Sequence, residues 1–125
     1  MTGPILNSIG SDAATSTITQ VIKQIAVDQK VDSAPLLAIA RCESQYRQYD
    51  QNGDVLRGKH NARDVGIFQI NERFHLEQSQ KLGFDIYTAE GNIRYAIWLS
   101  EKEGIGHWSA SKPCWGKVVS QIAIR

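Results

Sequence analysis

The sequence predicts a mainly α-helical α+β domain with one small β-hairpin segment, and three observations carry that reading. Apolar residues recur at helical spacing along most of the chain. Hairpin signals are confined to one polar stretch after Gln48. Hydrophobic residues make up 42% and charged residues 22%, the balance of a globular chain. At 125 residues the chain is long enough to bury one core and short enough to form one domain.

Residues 1–16 are small and polar, with Gly3, Pro4 and Gly10, and read as a flexible lead-in to a folded domain over 17–125. A first helix is expected over 17–29, where Ile18, Val21, Ile22, Ile25 and Ala26 form one apolar stripe and Ser16 or Thr17 can cap the start. Lys30-Val31-Asp32 is the turn. A second helix then begins at Asp32 or Ser33 with Pro35 in its first turn and runs to about Tyr46. From Gln48 to Arg63 the chain turns polar, and Asn52-Gly53 signals a short irregular hairpin, the only strand expected. Short helices are expected around 67–71 and 75–82. Thr88 can cap a helix over 89–103 that turns Ile93, Ala96, Ile97 and Leu99 inward and stops at Gly104. Gly91 in its first turn costs about 1 kcal/mol against Ala, which points to another backbone close by. The tail from Ile105, with His107, Trp108, Pro113, Cys114 and Trp115, reads as an aromatic-rich loop.

Composition excludes several classes. Fourteen basic and thirteen acidic side chains leave a net charge of +1, so no strong field draws the chain to nucleic acid. No run approaches the roughly 18 apolar residues of a membrane helix, and no basic-then-apolar signal peptide is visible at the start. Nothing calls for a second copy, so a monomer is expected. The cluster Arg57, Lys59, His60 and Arg63 reads as a solvated loop or as a contact for an anionic polymer. No cofactor is expected, and no metal. Cys42 and Cys114 fit no zinc spacing, and Asp50 to Asp54 fails the EF-hand pattern because Gly53 and Asn61 fall where that loop cannot use them. The two cysteines are either buried thiols or one disulfide, which would add about 2–4 kcal/mol.

Two carboxylates stand where apolar segments end or begin. Glu43 closes the run Leu36-Leu37-Ala38-Ile39-Ala40-Arg41-Cys42-Glu43, and Asp64 opens Asp64-Val65-Gly66-Ile67-Phe68-Gln69-Ile70-Asn71. Burial at such an edge raises a carboxyl pKa. An acid of that kind facing a second carboxylate is what glycosidic cleavage requires. Asp64 has a plainer alternative as the N-cap of the expected helix at 66–71.

These residues resemble a known family. Ile39-Ala40-Arg41-Cys42-Glu43-Ser44-Gln45-Tyr46 resembles the Glu-Ser motif of lytic transglycosylases and goose-type lysozymes. Gly66-Ile67-Phe68-Gln69-Ile70 is similar to their Gly-Leu-Met-Gln segment, and Asn92-Ile93-Arg94-Tyr95-Ala96 to their third motif. The longer string from Asp64 to Asn71 also resembles chicken-type lysozymes. The three motifs occur in the family's order and span residues 33 to 115, about two-thirds of the chain. The resemblance to this lysozyme-like superfamily implies a helical lobe and a small β-hairpin lobe with a glycan cleft between them. It implies a muralytic enzyme that cleaves the β-1,4 bond between N-acetylmuramic acid and N-acetylglucosamine, with Glu43 as proton donor.

Asp64 separates two reactions that the resemblance leaves open. A lysozyme hydrolyses with a second carboxylate, and a lysozyme is the type case of that chemistry. A lytic transglycosylase uses its Glu alone and leaves a 1,6-anhydro end. The motif layout favours transglycosylation, while Asp64 departs from that branch. The resemblance also places Ser44, Gln69, Asn71 and Tyr95 near the substrate, and Trp108 or Trp115 offers a face for sugar stacking. Trp98 reads as core, and His60, His75 and His107 as surface residues. Action at the cell wall follows, from the periplasm, from outside the cell or by phage delivery. A non-catalytic glycan-binding module is the other class, and binding alone would not need Glu43.

Overall fold

The computed structural model describes residues 15–124. The expected lead-in lies outside them except for Thr15 and Ser16, which already belong to the first helix. Among the described residues there are five α-helices, a 3₁₀ segment and one two-stranded antiparallel sheet, so the chain is mainly helical with a minor β part.

Helix α1 (Thr15–Asp28) buries Ile18, Ile22, Ile25 and Ala26, the stripe that its spacing predicts. Ser16 and Thr17 lie inside it rather than capping it. Helix α2 (Ser33–Ser44) is capped by Asp32, whose carboxylate accepts the Ala34 amide at 3.1 Å. It ends two residues before the expected Tyr46. Gln45 and Tyr46 both take left-handed backbone conformations (φ 56° and 64°), and the Tyr46 hydroxyl donates back to the Leu37 carbonyl at 3.0 Å. Leu36, Ala38, Ile39 and Ala40 of α2 are buried. Full burial of a side chain such as Ile39 contributes about 1.5–3 kcal/mol.

Strands β1 (Asp64–Val65) and β2 (Ile70–Asn71) pair antiparallel, with Asp64 opposite Asn71 and Val65 opposite Ile70. The helix expected at 67–71 is therefore a four-residue turn. Gly66 and Gln69 sit at positive φ (76° and 51°), where no helix can pass, and side chains from elsewhere occupy the turn's amides. The hairpin expected around Asn52-Gly53 is present only as isolated bridges, Tyr49 to Val55 and Arg57 to Val65. Asp50 closes that turn by accepting the amides of Asn52 and Asp54.

Helix α3 (Glu72–Lys81) starts three residues earlier than expected, because Asn71 caps it by accepting the amides of Arg73 and Phe74. Helix α4 (Ala89–Glu103) has the expected bounds. Thr88 accepts the Gly91 amide at 3.1 Å, and Gly104 stops the helix at φ 78°. A Cβ at Gly91 would collide with the Asp85 backbone, which accounts for a glycine in a helical first turn.

The tail is not a loop. Ile105–Ser111 forms a 3₁₀ segment and α5 (Lys112–Ile124) follows, with Pro113 in its first turn where the missing N–H is harmless. Weak periodicity in the tail concealed this. Trp108 and Trp115 anchor it in the core instead. Helix α2 is central, packing on both α1 and α5, while α1 also meets α4. A disulfide joins Cys42 of α2 to Cys114 of α5 across 72 residues of sequence. Among the described residues no helix is long and apolar enough to cross a membrane.

Candidate active site

Helix α2 delivers Glu43 one residue before its end, half-buried at the floor of a cavity of about 520 Å³ that Asp64 also lines. Burial pushes the Glu43 carboxyl up, a hydrogen bond from Ser111 partly offsets this, and the Asp64 charge pushes it up further. Its ordinary role as an ionised surface group is thereby weakened in favour of the protonated form.

Ser111 is the residue that sequence reasoning missed. It stands 68 positions from Glu43, and no local pattern marks it. Its hydroxyl makes a short hydrogen bond to Glu43 Oε2 and accepts the Trp115 indole N–H at 2.9 Å. The Trp108 carbonyl lies 3.2 Å away as an alternative acceptor. One hydroxyl proton therefore has two destinations. When Glu43 is ionised, Ser111 donates to it. When Glu43 is protonated, it can donate to Ser111 Oγ, and Ser111 then turns its proton to Trp108. The disulfide ties both sides of this contact together, since Cys42 precedes Glu43 and Cys114 follows Ser111 by three residues.

Asp64 enters on β1. Its carboxylate accepts the Asn71 side-chain amide at 3.0 Å from directly across the ladder. The alternative role as a helix cap is excluded by the strand. Asn71 does two jobs: it orients Asp64 with its nitrogen and caps α3 with its oxygen. Gln69 lines the same cavity, and its side-chain nitrogen donates to the Gly66 carbonyl at 2.9 Å.

The turn carrying Asp64 is held from behind by two buried amides. Asn92 accepts the Phe68 N–H and donates to the Val65 and Ile86 carbonyls. Gln48 accepts the Ile67 N–H and donates to Ile86. Ser44, expected beside the substrate, lines the cavity next to Glu43; it is largely buried and directs its hydroxyl to the Ile67 carbonyl at 2.7 Å. Its role is to join the end of α2 to the turn.

A second cavity of about 240 Å³ adjoins the first and shares Glu43, Asp64, Gln69 and Ala110 with it. Phe74, His75, His107 and Trp108 line its far end. Trp108 is only 4% exposed, with its indole N–H on the Phe68 carbonyl, so it supports the wall and cannot stack on a sugar. Trp115 is buried as well and lines neither cavity. Phe74 is the contrary case, 75% exposed beside the carboxylates, a large apolar face held open to solvent.

Tyr95 is buried and reaches this region only through His75, whose Nδ1 lies 2.7 Å from its hydroxyl. Burial pushes the Tyr95 phenol up to about 12, with Glu103 adding to the effect, so it stays neutral. His75 is not a free surface residue: burial and the neighbouring His107 lower its pKa, and the two Nε2 atoms are 3.0 Å apart. His60 is exposed as expected, and Trp98 is partly buried against the core.

Among the described residues no group of three or more His, Cys, Asp or Glu side chains gathers as a metal site, and the acidic turn at Asp50 is occupied by its own amides. A larger open depression of about 760 Å³ lies over α5, lined by Lys112, Pro113 and Lys117 among others. It contains no carboxylate or imidazole. No protein-family model, curated protein or solved structure matches the chain.

Proposed function

We propose that this protein is a muralytic enzyme of the lysozyme-like superfamily, cleaving the β-1,4 bond between N-acetylmuramic acid and N-acetylglucosamine in peptidoglycan. The observation that carries the reading is Glu43, an acid raised by burial at the junction of two cavities and bonded to a hydroxyl that suits both of its protonation states. In this reading the helices form one lobe, residues 48–71 form a small β lobe, and the glycan lies in the groove between them.

Glu43 donates its proton to the bridging oxygen as the bond from the muramic C1 breaks. In lytic transglycosylation the resulting carboxylate takes the proton of the same sugar's 6-hydroxyl, and that oxygen closes onto C1. The product is a 1,6-anhydro end, and Glu43 regains its proton. A single residue cycling between acid and base is what the two-way Ser111 contact supports. No cofactor enters this chemistry.

A second reading, hydrolysis, is favoured by one specific observation. Asp64 shares the cavity, is oriented by Asn71 and acts electrostatically on Glu43, as a second carboxylate in a lysozyme would. The protein then works as a monomer on glycan strands, without nucleic acid or membrane insertion. The disulfide suits an oxidising destination such as the periplasm, the cell exterior or a phage particle.

The test is digestion of purified peptidoglycan by the parent and by Glu43→Gln, with mass spectrometry of the fragments. The parent is expected to release muropeptides and the variant to lose about 10²–10⁴-fold in rate while still binding walls. Anhydro ends identify transglycosylation, and reducing ends heavier by one water identify hydrolysis. Lysis by Glu43→Gln at the parent rate would overturn the catalytic reading and leave a glycan-binding module.

A further inference from the structure

The two cavities that meet at Glu43 and Asp64 differ in chemistry. The end that carries Phe74, His75 and His107 contains no Lys or Arg. The other end is lined by Arg47, Arg57, Lys59 and His60, and its only carboxylates are the two at the junction. Arg57 is committed to Glu72 at 2.8 Å, outside that wall. Arg47 is anchored by donating from Nε to the Ser44 carbonyl at 3.0 Å, which leaves its terminal nitrogens without a carboxylate among the described residues. Lys59 and His60 are exposed and make no ion pair or side-chain hydrogen bond among the described residues.

Uncompensated cations at one end of a groove focus a positive potential there, and they favour a ligand that places negative charge against that end. We propose that the basic end is a binding site for the carboxylates of the peptide stem on the glycan strand, with Lys59 and Arg47 as its principal contacts and with the Phe74 end taking a sugar face. This rests on the muralytic reading and adds to it a substrate preference: stem-bearing strands over bare ones. Arg47 directly follows the Glu43-Ser44-Gln45-Tyr46 segment, so a stem held there would also fix the register of the strand against the acid.

The experiment compares kcat/KM on peptidoglycan freed of phosphate-bearing wall polymers with kcat/KM on the same strands after enzymatic removal of their peptide stems. Parent enzyme is expected to favour stem-bearing strands about fivefold or more at low salt. The ratio should fall toward one at high salt, where exposed charges are screened, and toward one in Lys59→Glu and in Arg47→Ala. Melting temperatures of both variants verify that the fold is kept. If a variant melts early, binding of Glu43→Gln to the two kinds of strand supplies the same comparison without it. Equal cleavage of both substrates by the parent would overturn the stem site while leaving the muralytic reading intact. Cleavage of neither would overturn both. A preference that appears only when phosphate-bearing polymers remain on the wall would assign the basic end to phosphate and overturn the stem proposal.

Discussion

Glu43 answers two opposed demands. In the proposed reaction it must be buried enough to favour the protonated form, yet it must lose that proton in every turnover. Burial and Asp64 raise its pKa and Ser111 lowers it, so each neighbour can be tested separately by sign. As the general acid of the proposed reaction, Glu43 is expected to set the alkaline limb of the rate profile. Ser111→Ala removes the group that favours the carboxylate and is expected to move that limb to higher pH. Asp64→Asn removes a like charge and is expected to move it to lower pH. Profiles of kcat/KM against pH for the two variants measure this, and shifts in the same direction would contradict the arrangement. A large rate loss in Asp64→Asn beyond the shift would mark hydrolysis.

The same residue should weaken the fold. A carboxyl whose folded pKa is raised keeps a proton that the unfolded chain releases near its ordinary value of about 4.3, so stability falls as pH rises through the window between the two. Glu43→Gln is therefore expected to melt above the parent at neutral pH, with the difference vanishing below about pH 4. Equal melting temperatures at both pH values would contradict it.

At the scale of elements, the turn between β1 and β2 determines where Asp64 points. Its conformation depends on partners outside it: Gln48, Ser44 and Asn92 satisfy its amides and carbonyls, and Gly66 leaves room for the Asn92 amide. Asn92→Ala would strand the buried Phe68 N–H and take a donor from the Val65 carbonyl, while the Ile86 carbonyl keeps the Gln48 amide. Each unsatisfied group costs about 1–3 kcal/mol, so a loss of about 2 kcal/mol or more in urea unfolding is expected, with a matching loss of activity. This also explains which element the sequence concealed. Ile67, Phe68 and Ile70 suggest a short helix by spacing, but a four-residue turn held by distant side chains leaves no local signature. Helix α4 was fully legible because its signals, Thr88 and Gly104, are its own neighbours. The tail was misread for the opposite reason: its helices depend on two buried tryptophans and a disulfide, all of them tertiary.

At the scale of the whole molecule, the Cys42–Cys114 bridge closes a long loop and secures the two walls on which Glu43 and Ser111 stand. Loop-closure entropy for such a span gives about 4 kcal/mol. Reduction, or Cys42→Ala with Cys114→Ala, is expected to lower stability by about 2–4 kcal/mol. It should also raise the alkaline limb of activity, as in Ser111→Ala, because the Ser111 contact loosens. Denaturant midpoints and rate profiles with and without reductant check both effects, and an unchanged midpoint would show that the bridge is dispensable.

The sequence by itself determined the helical character of the chain, the bounds of α4, the core stripe of α1 and the position of Glu43 at the end of an apolar helix. These rest on periodicity and capping, which act between residues a few positions apart. Only the tertiary structure decided that Asp64 lies on a strand beside Asn71, that Ser111 reaches Glu43, that Trp108 is a buried wall, and that basic side chains line one of two adjoining cavities and aromatic ones the other. Each of those depends on groups brought together from distant parts of the chain by core packing and the disulfide, contacts that no local pattern of residues encodes.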